Sequence, residues 1–325
     1  MNGATPMKDR SVLVTGGAGF IGSHLVGRLL ASGKKVICLD NFDPFYDPAI
    51  KRANIRTFLP HPDFTLIEGD IRDRELLAGI LRRREIAVVV HLAAMAGVRP
   101  SVENPQLYNQ VNVVGTTNLL EACREAGLKK FVFGSSSSVY GLNDAVPFSE
   151  EACVGRTASP YGATKLAGEA LCHTYHHLYG IPTICLRFFT VYGPRQRPEM
   201  AIHTFIRLIH AGQEVPVFGD GTSKRDYTYI DDITEGILAA MDCDCQFEIV
   251  NLGRSETVLL LEMIRLIEAS LGKKARVQFF PTRMGDVPIT FASVEKARSL
   301  LGFEPAVSIR EGIERTVRWF LERQK

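Results

Sequence analysis

The stretch TGGAGFIG at 15–22 decides the fold, because closely spaced glycines join a strand pattern to a helix pattern. The apolar run SVLVT at 11–15 precedes it, as expected of a parallel strand covered on both faces. Apolar residues then recur at helical spacing. Glycines at such a junction permit a tight turn and let a pyrophosphate approach the N-terminus of the helix. The stretch predicts a dinucleotide-binding loop, with candidate contacts at Gly16, Gly19, Phe20, Ile21 and Gly22.

Acidic residues that follow predicted strands support a nucleotide ligand. Asp40 follows the last glycine at close to the roughly 20-residue spacing of a carboxylate that binds both ribose hydroxyls. A carboxylate there repels a 2′-phosphate, and no arginine adjoins Asn41, so this pair favours NAD over NADP. Asp70 and Ile71 follow another predicted strand and are candidates for adenine contacts. The alternative for each acid is a turn or a strand-end cap.

The chain as a whole predicts an α/β fold, a doubly wound parallel sheet of the Rossmann type with a smaller α/β substrate-binding lobe. Strand patterns at 11–15, 35–39, 64–68, 87–92, 130–134 and 183–188 alternate with helix patterns at 74–83, 112–126 and 161–179. Later helix patterns lie at 201–211, 231–240 and 259–271. We expect residues 1–188, joined by parts of 228–256, to bind NAD and residues 189–325 mainly to bind substrate.

The composition of the 325 residues excludes several classes of protein. A net charge of +2 gives no basic surface for nucleic acid. We recognise neither a signal peptide nor an apolar stretch long enough to span a membrane. The seven cysteines form no C-x-x-C pair, which predicts reduced thiols in the cytoplasm and no metal site. Cys243 and Cys245 are typical of a surface turn.

A tyrosine and a lysine are spaced for proton transfer. Tyr161 and Lys165 lie four residues apart on a predicted helix and therefore share one face. An ammonium beside a phenol favours the phenolate, which can act as a general base. The run SSSS at 135–138 follows a predicted strand at the sheet edge where ligands bind. Its hydroxyls suggest a relay between substrate and Tyr161; the alternative is a surface pair beside a polar loop.

These residues resemble the extended short-chain dehydrogenase/reductase superfamily, and within it the nucleotide-sugar epimerases. The similarity covers nearly the whole chain through TGGAGFIGS (15–23), LDN (39–41), GDIRD (69–73), HLAA (91–94), NVVGTTNLLEA (112–122), SSSSVYG (135–141), YGATK (161–165), RFFTVYGPRQRP (187–198), RDYTYIDD (225–232) and RMGD (283–286). The resemblance implies NAD as cofactor and a nucleotide sugar, bound through UDP, as substrate.

The resemblance also assigns roles to residues. It implies that Tyr161 is the base, that Lys165 supports it and binds the nicotinamide ribose, and that Ser136 bridges the sugar O4 and the base, with Ser137 and Ser138 beside it. Further cofactor residues are Leu92, Ala93, Ala94 and Asn112. Arg225 and Arg283 are expected to bind the diphosphate, with Asp286 nearby. Relatives usually pair through two helices, here 103–126 and 161–179, so a homodimer is expected.

The motifs narrow the reaction to 4-epimerisation of a uronic acid. Relatives that eliminate water carry Asp-Glu where this chain has Ser137-Ser138, and uronate decarboxylases commonly carry Glu in place of Ser138. RFFTVYG with GPRQRP, and MAGVRPS at 95–101, are similar to epimerases that act on UDP-glucuronate. We therefore expect Arg197, with Thr190, to bind the C6 carboxylate. Arg99 is a further candidate for the carboxylate, a phosphate or a loop contact.

Three other interpretations stay open on the sequence. The chain could epimerise neutral UDP-hexoses or N-acetylhexosamines, or decarboxylate UDP-glucuronate. It could also be a non-catalytic NAD-binding regulator, although Tyr161, Lys165 and the serines are all present. His173, His176 and His177 share a helix face at metal-like spacing, but an exposed or interface face is the favoured interpretation and no metal is expected.

Overall fold

The computed structural model describes residues 11–83, 85–143, 145–152, 154–282 and 287–324. Its strands are β1 (Ser11–Thr15), β2 (Val36–Asp40), β3 (Phe64–Glu68), β4 (Ile86–His91), β5 (Lys130–Ser136), β6 (Thr183–Phe188), β7 (Thr190–Tyr192), β8 (Glu214–Phe218), β9 (Lys224–Arg225), β10 (Tyr227–Tyr229), β11 (Phe247–Leu252), β12 (Val258–Leu259) and β13 (Arg276–Phe280).

Helices separate the strands. They are α1 (Phe20–Ala31), α2 (Pro48–Ile55), α3 (Arg74–Arg83), α4 (Val98–Glu103), α5 (Pro105–Asn109), α6 (Thr116–Glu125), α7 (Pro160–Tyr179), α8 (Ala201–His210), α9 (Ile230–Asp242), α10 (Leu260–Leu271), α11 (Glu295–Leu301) and α12 (Ile309–Glu322). A π-helical turn, Gln110–Gly115, joins α5 to α6, and 3₁₀ turns lie at Arg56–Phe58 and Ser137–Tyr140.

Seven parallel strands form the central sheet in the order β3-β2-β1-β4-β5-β6-β11. Alternate residues of β1 face opposite sides, so Val12 and Val14 join one apolar cluster while Leu13 joins the other. The inner strands are mostly apolar because helices cover both faces. This is the doubly wound fold that the sequence predicts.

The region beyond β6 packs on one face of this sheet. Apart from β11, which belongs to the central sheet, its strands form three pairs, β7 with β10, β9 with β12 and β8 with β13. Val217 of β8, Met263 of α10 and Ile313 of α12 are completely buried in the same apolar cluster as Val12 of β1. A shared core of this kind fixes the later region against the sheet rather than tethering it.

The structure changes several predicted elements. β5 continues to Ser136, so two of the serines predicted in a loop lie on the strand itself. The helix predicted over 112–126 begins in the π-helical turn, and the expected pairing helix over 103–126 is interrupted where Asn104 caps α5 and Pro105 starts it. The predictions missed α2, α11 and α12. The described residues contain no helix long and apolar enough to cross a bilayer.

Candidate active site

The strand order reverses between β1 and β4, and a cavity of about 440 Å³ opens at their carboxyl ends. Open parallel sheets bind ligands at this point because the loops of neighbouring strands diverge there. The cavity wall includes most of the residues that the sequence predicts. They are the glycine loop, the residues that follow β2, β3 and β4, the serine run, Tyr161, Lys165, Thr190 and Arg197.

The glycine loop has no room for side chains. Gly16 has a φ of +70°, and a Cβ there would lie 2.7 Å from the backbone nitrogen of Ala93. A Cβ at Gly22 would collide with the carbonyl oxygen of Gly16. Gly19 precedes α1 without a side-chain cap, so the first N–H groups of α1, from Phe20 onward, can bind a phosphate.

Asp40 ends β2 beside this loop with its carboxylate nearly buried. One carboxylate oxygen accepts a hydrogen bond from the Ala18 amide at 3.1 Å, and the other accepts one from the Phe42 amide at 2.9 Å. The Lys51 ammonium lies 3.9 Å from the second oxygen. These contacts fix the carboxylate at the cavity wall, where its remaining lone pairs can accept ribose hydroxyls.

Asn41 and Asp70 meet across the ends of β2 and β3. The Asn41 amide donates to the Asp70 carboxylate at 2.9 Å. Arg72 binds the same carboxylate with two nitrogens, at 2.7 and 3.0 Å, and this pairing lowers the pKa of Asp70 to about 2. Asp70 is therefore an ionised acceptor at the cavity wall beside Ile71.

Local capping places Tyr161 and Lys165. The Ser159 hydroxyl accepts from the Gly162 amide and Pro160 occupies the first turn, so α7 begins immediately before Tyr161. Lys165 lies one turn later and donates to the Gly134 carbonyl of β5 at 2.6 Å. Burial lowers the pKa of Lys165 to about 8, so the ammonium persists near neutral pH.

The serine run reaches Tyr161 through Ser136. Burial raises the pKa of Tyr161, while a hydrogen bond with Ser136 and the charge of Arg197 lower it. The Ser136 hydroxyl donates to the Ser138 hydroxyl and accepts from the Ser138 amide, both at 3.2 Å. Ser137 lines the same wall. The arrangement can pass a proton between a bound hydroxyl and the phenol.

Arg197 and Thr190 form another part of the wall. Thr190 begins β7 and pairs with Tyr227 of β10. Arg197 lies after β7, its Nε 3.1 Å from a carboxylate oxygen of Glu199 and its guanidinium 5.7 Å from the Phe45 ring. A guanidinium in a wall that also holds Tyr161 can bind an anionic group of a ligand.

Other predicted residues lie elsewhere. Asn112 is buried behind the wall, where it exchanges hydrogen bonds with the backbone of Met95 and donates to Thr164 at 3.0 Å. Arg99 and Arg225 are not among the described residues that line the cavity. The Arg99 guanidinium lies 5.4 Å from the Phe218 ring, and Arg225 donates to the carbonyls of Lys224 and Pro288. Arg283 and Asp286 fall outside the described residues.

Some wall residues escaped the sequence analysis. Lys51 and Tyr46 face Asp40 from the segment that contains α2, and the Lys51 ammonium lies 5.0 Å from the Tyr46 ring. The signal for this helix is the sequence Asp47-Pro48, since the Asp47 carboxylate caps α2 by accepting from the Ala49 amide and proline opens the first turn. Glu199, beside Arg197, carried no local signal.

The histidines of α7 stack on aromatic rings. The rings of His173 and His177 are parallel at 6.4 Å, and both His173 and His176 contact Phe247. The described residues contain no group of three or more His, Cys, Asp or Glu side chains arranged to bind a metal ion. These histidines therefore contribute to packing against β11.

The fold and this site are those of a sugar-nucleotide epimerase or dehydratase. Residues 12–253 match the model of the NAD dependent epimerase/dehydratase family, and the chain belongs to that family.

Several similar proteins are named as 4-epimerases of UDP-sugars. UDP-glucuronate 4-epimerase 4 of Arabidopsis thaliana is 43% identical over 96% of this chain and 75% of its own length. The structure of UDP-glucuronic acid 4-epimerase from Bacillus cereus, solved with UDP-glucuronic acid and NAD, is 40% identical with a TM-score of 0.91, covering 96% of this chain and 99% of that one. The UDP-glucose 4-epimerase of Thermotoga maritima, solved with UDP-glucose, is 34% identical with a TM-score of 0.90, covering 97% and 100%.

Proposed function

We propose that this chain is an NAD-dependent UDP-glucuronate 4-epimerase, which interconverts UDP-glucuronate and UDP-galacturonate through a 4-keto sugar. One observation carries the proposal: a single cavity contains both Tyr161, hydrogen-bonded with Ser136, and the guanidinium of Arg197. The first pair can move the proton of a sugar hydroxyl, and the guanidinium can bind a carboxylate. The Bacillus cereus neighbour, solved with UDP-glucuronic acid and NAD, supports the same assignment.

The residues of the glycine loop fit NAD. Backbone fills the positions where a Cβ of Gly16 or Gly22 would stand, so a pyrophosphate can approach the first turn of α1 closely. Asp40 offers the carboxylate that binds a 2′-hydroxyl and repels a 2′-phosphate. When bound, NAD supplies a reversible hydride acceptor for C4 of the sugar.

Tyr161 takes the O4 proton and later returns it. Lys165 lies one turn along α7 and, as an ammonium, stabilises the phenolate form. When the Ser136 hydroxyl turns its proton from Ser138 to the phenolate, it keeps the Ser138 amide on one acceptor position and can accept the sugar hydroxyl on the other. Inversion at C4 then requires the 4-keto sugar to present its other face before hydride returns.

Among the described residues of the cavity wall, no carboxylic acid lies near the serine run, where elimination or decarboxylation would use one. The carboxylates among its described wall residues are Asp40, Asp43 and Asp70, and all three follow β2 or β3. The serine run follows β5, on the other side of β1 and β4. Near Tyr161, the wall offers hydroxyls and a guanidinium. These groups can bind a carboxylate by hydrogen bonds, and none of them is a carboxylic acid that would transfer a proton.

The uronate carboxylate has to be restrained during the reaction. A 4-keto uronate is a β-keto acid, and it loses CO₂ when the C5–carboxylate bond stands perpendicular to the ketone plane. We propose that Arg197 and Thr190, with the serine run, hold the carboxylate away from that geometry. Fixing one conformer of a bound substrate is an ordinary way to select one reaction.

Proton NMR of purified protein with UDP-glucuronate and catalytic NAD tests the proposal. The expected result is a new anomeric signal from UDP-galacturonate, without UDP-pentose and without net NADH. Formation of UDP-pentose would reassign the chain as a decarboxylase. Turnover of UDP-galactose or UDP-N-acetylhexosamines, but not UDP-glucuronate, would remove the assignment of Arg197 to the carboxylate.

We also propose that the enzyme is a cytoplasmic homodimer. The helical segments expected to pair carry exposed apolar side chains, Val114 on one and Leu178 and Tyr179 on the other. The six described cysteines are free thiols, as expected in a reducing compartment. Light scattering on a size-exclusion column tests the assembly; a Leu178→Asp variant that stays dimeric would exclude Leu178 from the interface.

A further inference from the structure

A buried ion pair that the mechanism above does not use lies behind the serine run. The side chains of Arg187 on β6 and Glu169 on α7 are 2% and 3% exposed. The Arg187 Nε and Nη2 donate to the two carboxylate oxygens of Glu169 at 2.9 and 2.8 Å. Both residues are remote from bulk water, so this is a fully enclosed bidentate pair.

The Glu169 carboxylate connects three elements beside the active site. Besides Arg187, it accepts a hydrogen bond from the Ser135 hydroxyl at 2.5 Å. Ser135 is the register partner of Arg187 in the β5–β6 pair and directly precedes Ser136. Lys165, one helical turn before Glu169, donates to the Gly134 carbonyl. One carboxylate therefore holds the end of β5 against both α7 and β6.

Stability alone is a poor explanation for this pair. Removing two charges from water costs several kcal/mol, and apolar residues of similar volume are often as stable as a buried ion pair. Arg187 Nη1 also has no hydrogen-bond partner among the described residues, and the guanidinium instead lies 4.8 Å from the Tyr140 ring. Because this ion pair leaves a buried donor unsatisfied, a role in positioning neighbouring residues explains it more simply than a gain in stability does.

We propose that Glu169 and Arg187 are positioning residues for the reaction, since they hold the end of β5, and with it Ser136, against Tyr161 and Lys165 of α7. Glu169 supplies a negative charge one turn from the ammonium, and Arg187 fixes that carboxylate in place. The expected effect on turnover rests on the proposed epimerase activity. The expected effect on the ionisation of Tyr161 does not.

Several groups face the Lys165 ammonium. On α7 these are Tyr161, Glu169 and the buried thiol of Cys172, and the last two oppose the effect of burial on the pKa of Lys165. From β4, the neutral imidazole of His91 hydrogen-bonds with Thr15 and Thr116. The Lys165 ammonium also lies 5.1 Å from the ring of Phe133 on β5. Glu169 is the carboxylate in this set, and its loss removes one of the two groups on α7 that raise the pKa of Lys165.

The test replaces the pair as a unit, by Glu169→Leu with Arg187→Met, because loss of one partner would leave the other charge buried. Urea unfolding first checks that the variant folds. Ultraviolet difference titration against the same chain carrying Tyr161→Phe then reports ionisation of Tyr161 without any turnover. Glu121→Gln is the matched control, since Glu121 lies on the neighbouring helix and accepts from Tyr175 and Arg124 away from the cavity.

We expect the folded double variant to lose about tenfold or more in kcat with KM changed by less than about threefold, as for misplacement of reacting groups. Ionisation of Tyr161 should move to higher pH, because a displaced Ser136 no longer makes the hydrogen bond that lowers the pKa of Tyr161. Glu121→Gln should change neither. A folded double variant with unaltered kcat and Tyr161 titration would overturn the proposal.

The outcomes separate the two proposals. Wild-type protein inactive on UDP-glucuronate would reject the proposed function, while the titration would still decide the link between Glu169 and Tyr161. If the double variant does not fold, Ser135→Ala removes the hydrogen bond between β5 and Glu169 and keeps the ion pair. That variant should lose several-fold in kcat with its fold intact; full activity would overturn the positioning role.

Discussion

The two ends of the cavity are built in different ways. At the glycine loop, backbone forms the wall, and the essential property of Gly16 and Gly22 is the absence of a side chain. At the end near Tyr161, side chains from separate segments form the wall, including Ser136 from β5, Thr190 from β7 and Arg197 from the following loop. The first end lets a ligand approach the backbone closely, whereas under the proposed function the second end selects the sugar and the reaction.

This difference predicts that single substitutions near Tyr161 lower the reaction rate more than they weaken binding. The largest effect is expected for Tyr161→Phe. The variant removes the hydroxyl that exchanges a proton with O4, so kcat should fall by about 10²–10⁴-fold, the range of general acid–base catalysis. Initial rates with UDP-glucuronate measure the loss, and isothermal titration with UDP should show unchanged binding. Substantial residual activity would mean that another group moves the proton.

Gly22→Ala is expected to have the next largest effect, through binding rather than chemistry. The added methyl group would collide with the Gly16 carbonyl and lie 2.7 Å from the Gly17 Cα, so the loop and α1 must separate. We expect NAD affinity to fall by about 10- to 100-fold, as loss of about 1.4 to 2.7 kcal/mol of binding free energy would produce. Fluorescence titration with NADH measures it.

A matched glycine separates the loop from a general effect of alanine. Gly79 lies within α3, and no atom stands within 4 Å of a Cβ built there. Gly79→Ala should stabilise the protein by up to about 1 kcal/mol and leave cofactor affinity unchanged, because alanine is the better helix former. If the Gly22→Ala variant bound NADH with the same affinity as the Gly79→Ala variant, close packing of the glycine loop would not be required for cofactor binding.

The same contrast explains how far the sequence could predict the molecule. The glycine loop, Asp40 and the alternation of strands and helices are local patterns, so the central sheet and the cofactor end followed from short stretches. Tyr161 and Lys165 were also local, at helical spacing. The contact of Arg197 with Glu199 and the link of Ser135 to Glu169 depend on the three-dimensional packing of loops and strands, and no local spacing encodes them.

Some misses had physical reasons of another kind. β11 lies beside β6 although four strands and two helices, β7 to β10 with α8 and α9, separate them along the chain, so the seventh strand of the sheet came from a region where loops dominate the pattern. The interruption at Asn104 follows from the proline at 105, which cannot donate the hydrogen bond that a continuous helix needs. The proline is a local signal for that break, which the expectation of a continuous helix over 103–126 did not take into account.

Arg197→Ala should show a moderate effect that depends on the substrate. Loss of the guanidinium removes a charge-assisted hydrogen bond to the carboxylate, so kcat/KM for UDP-glucuronate should fall by about 10- to 100-fold. Activity on UDP-galactose, which has no carboxylate, should fall much less. Released CO₂ and UDP-pentose should rise relative to UDP-galacturonate. Equal losses on both sugars, with no added CO₂, would contradict a role at the carboxylate.

The smallest effect concerns the frame of the region beyond β6, where one buried carboxylate takes the place of the backbone ladders of the central sheet. Asp226 lies between β9 and β10 and accepts hydrogen bonds from the amides of Arg254, Ser255 and Ala292 at 2.8, 3.0 and 3.1 Å. In Asp226→Asn, an NH₂ group would face the two amides that now share one oxygen. We expect about 1–3 kcal/mol of lost stability, the cost of unsatisfied buried donors, measured by urea unfolding.

The pH dependence of that loss gives a sharper test. Burial raises the pKa of Asp226 to about 6 despite these hydrogen bonds. Between about pH 4 and 6 the folded chain therefore binds a proton that the unfolded chain has released, and the stability contributed by this group falls as pH rises through the window. The asparagine variant has no such group, so the stability gap between the two proteins should narrow from pH 4 to pH 6. A gap that widened would mean that the amide donors hold the Asp226 carboxylate ionised. A buried charge would then stabilise the region beyond β6.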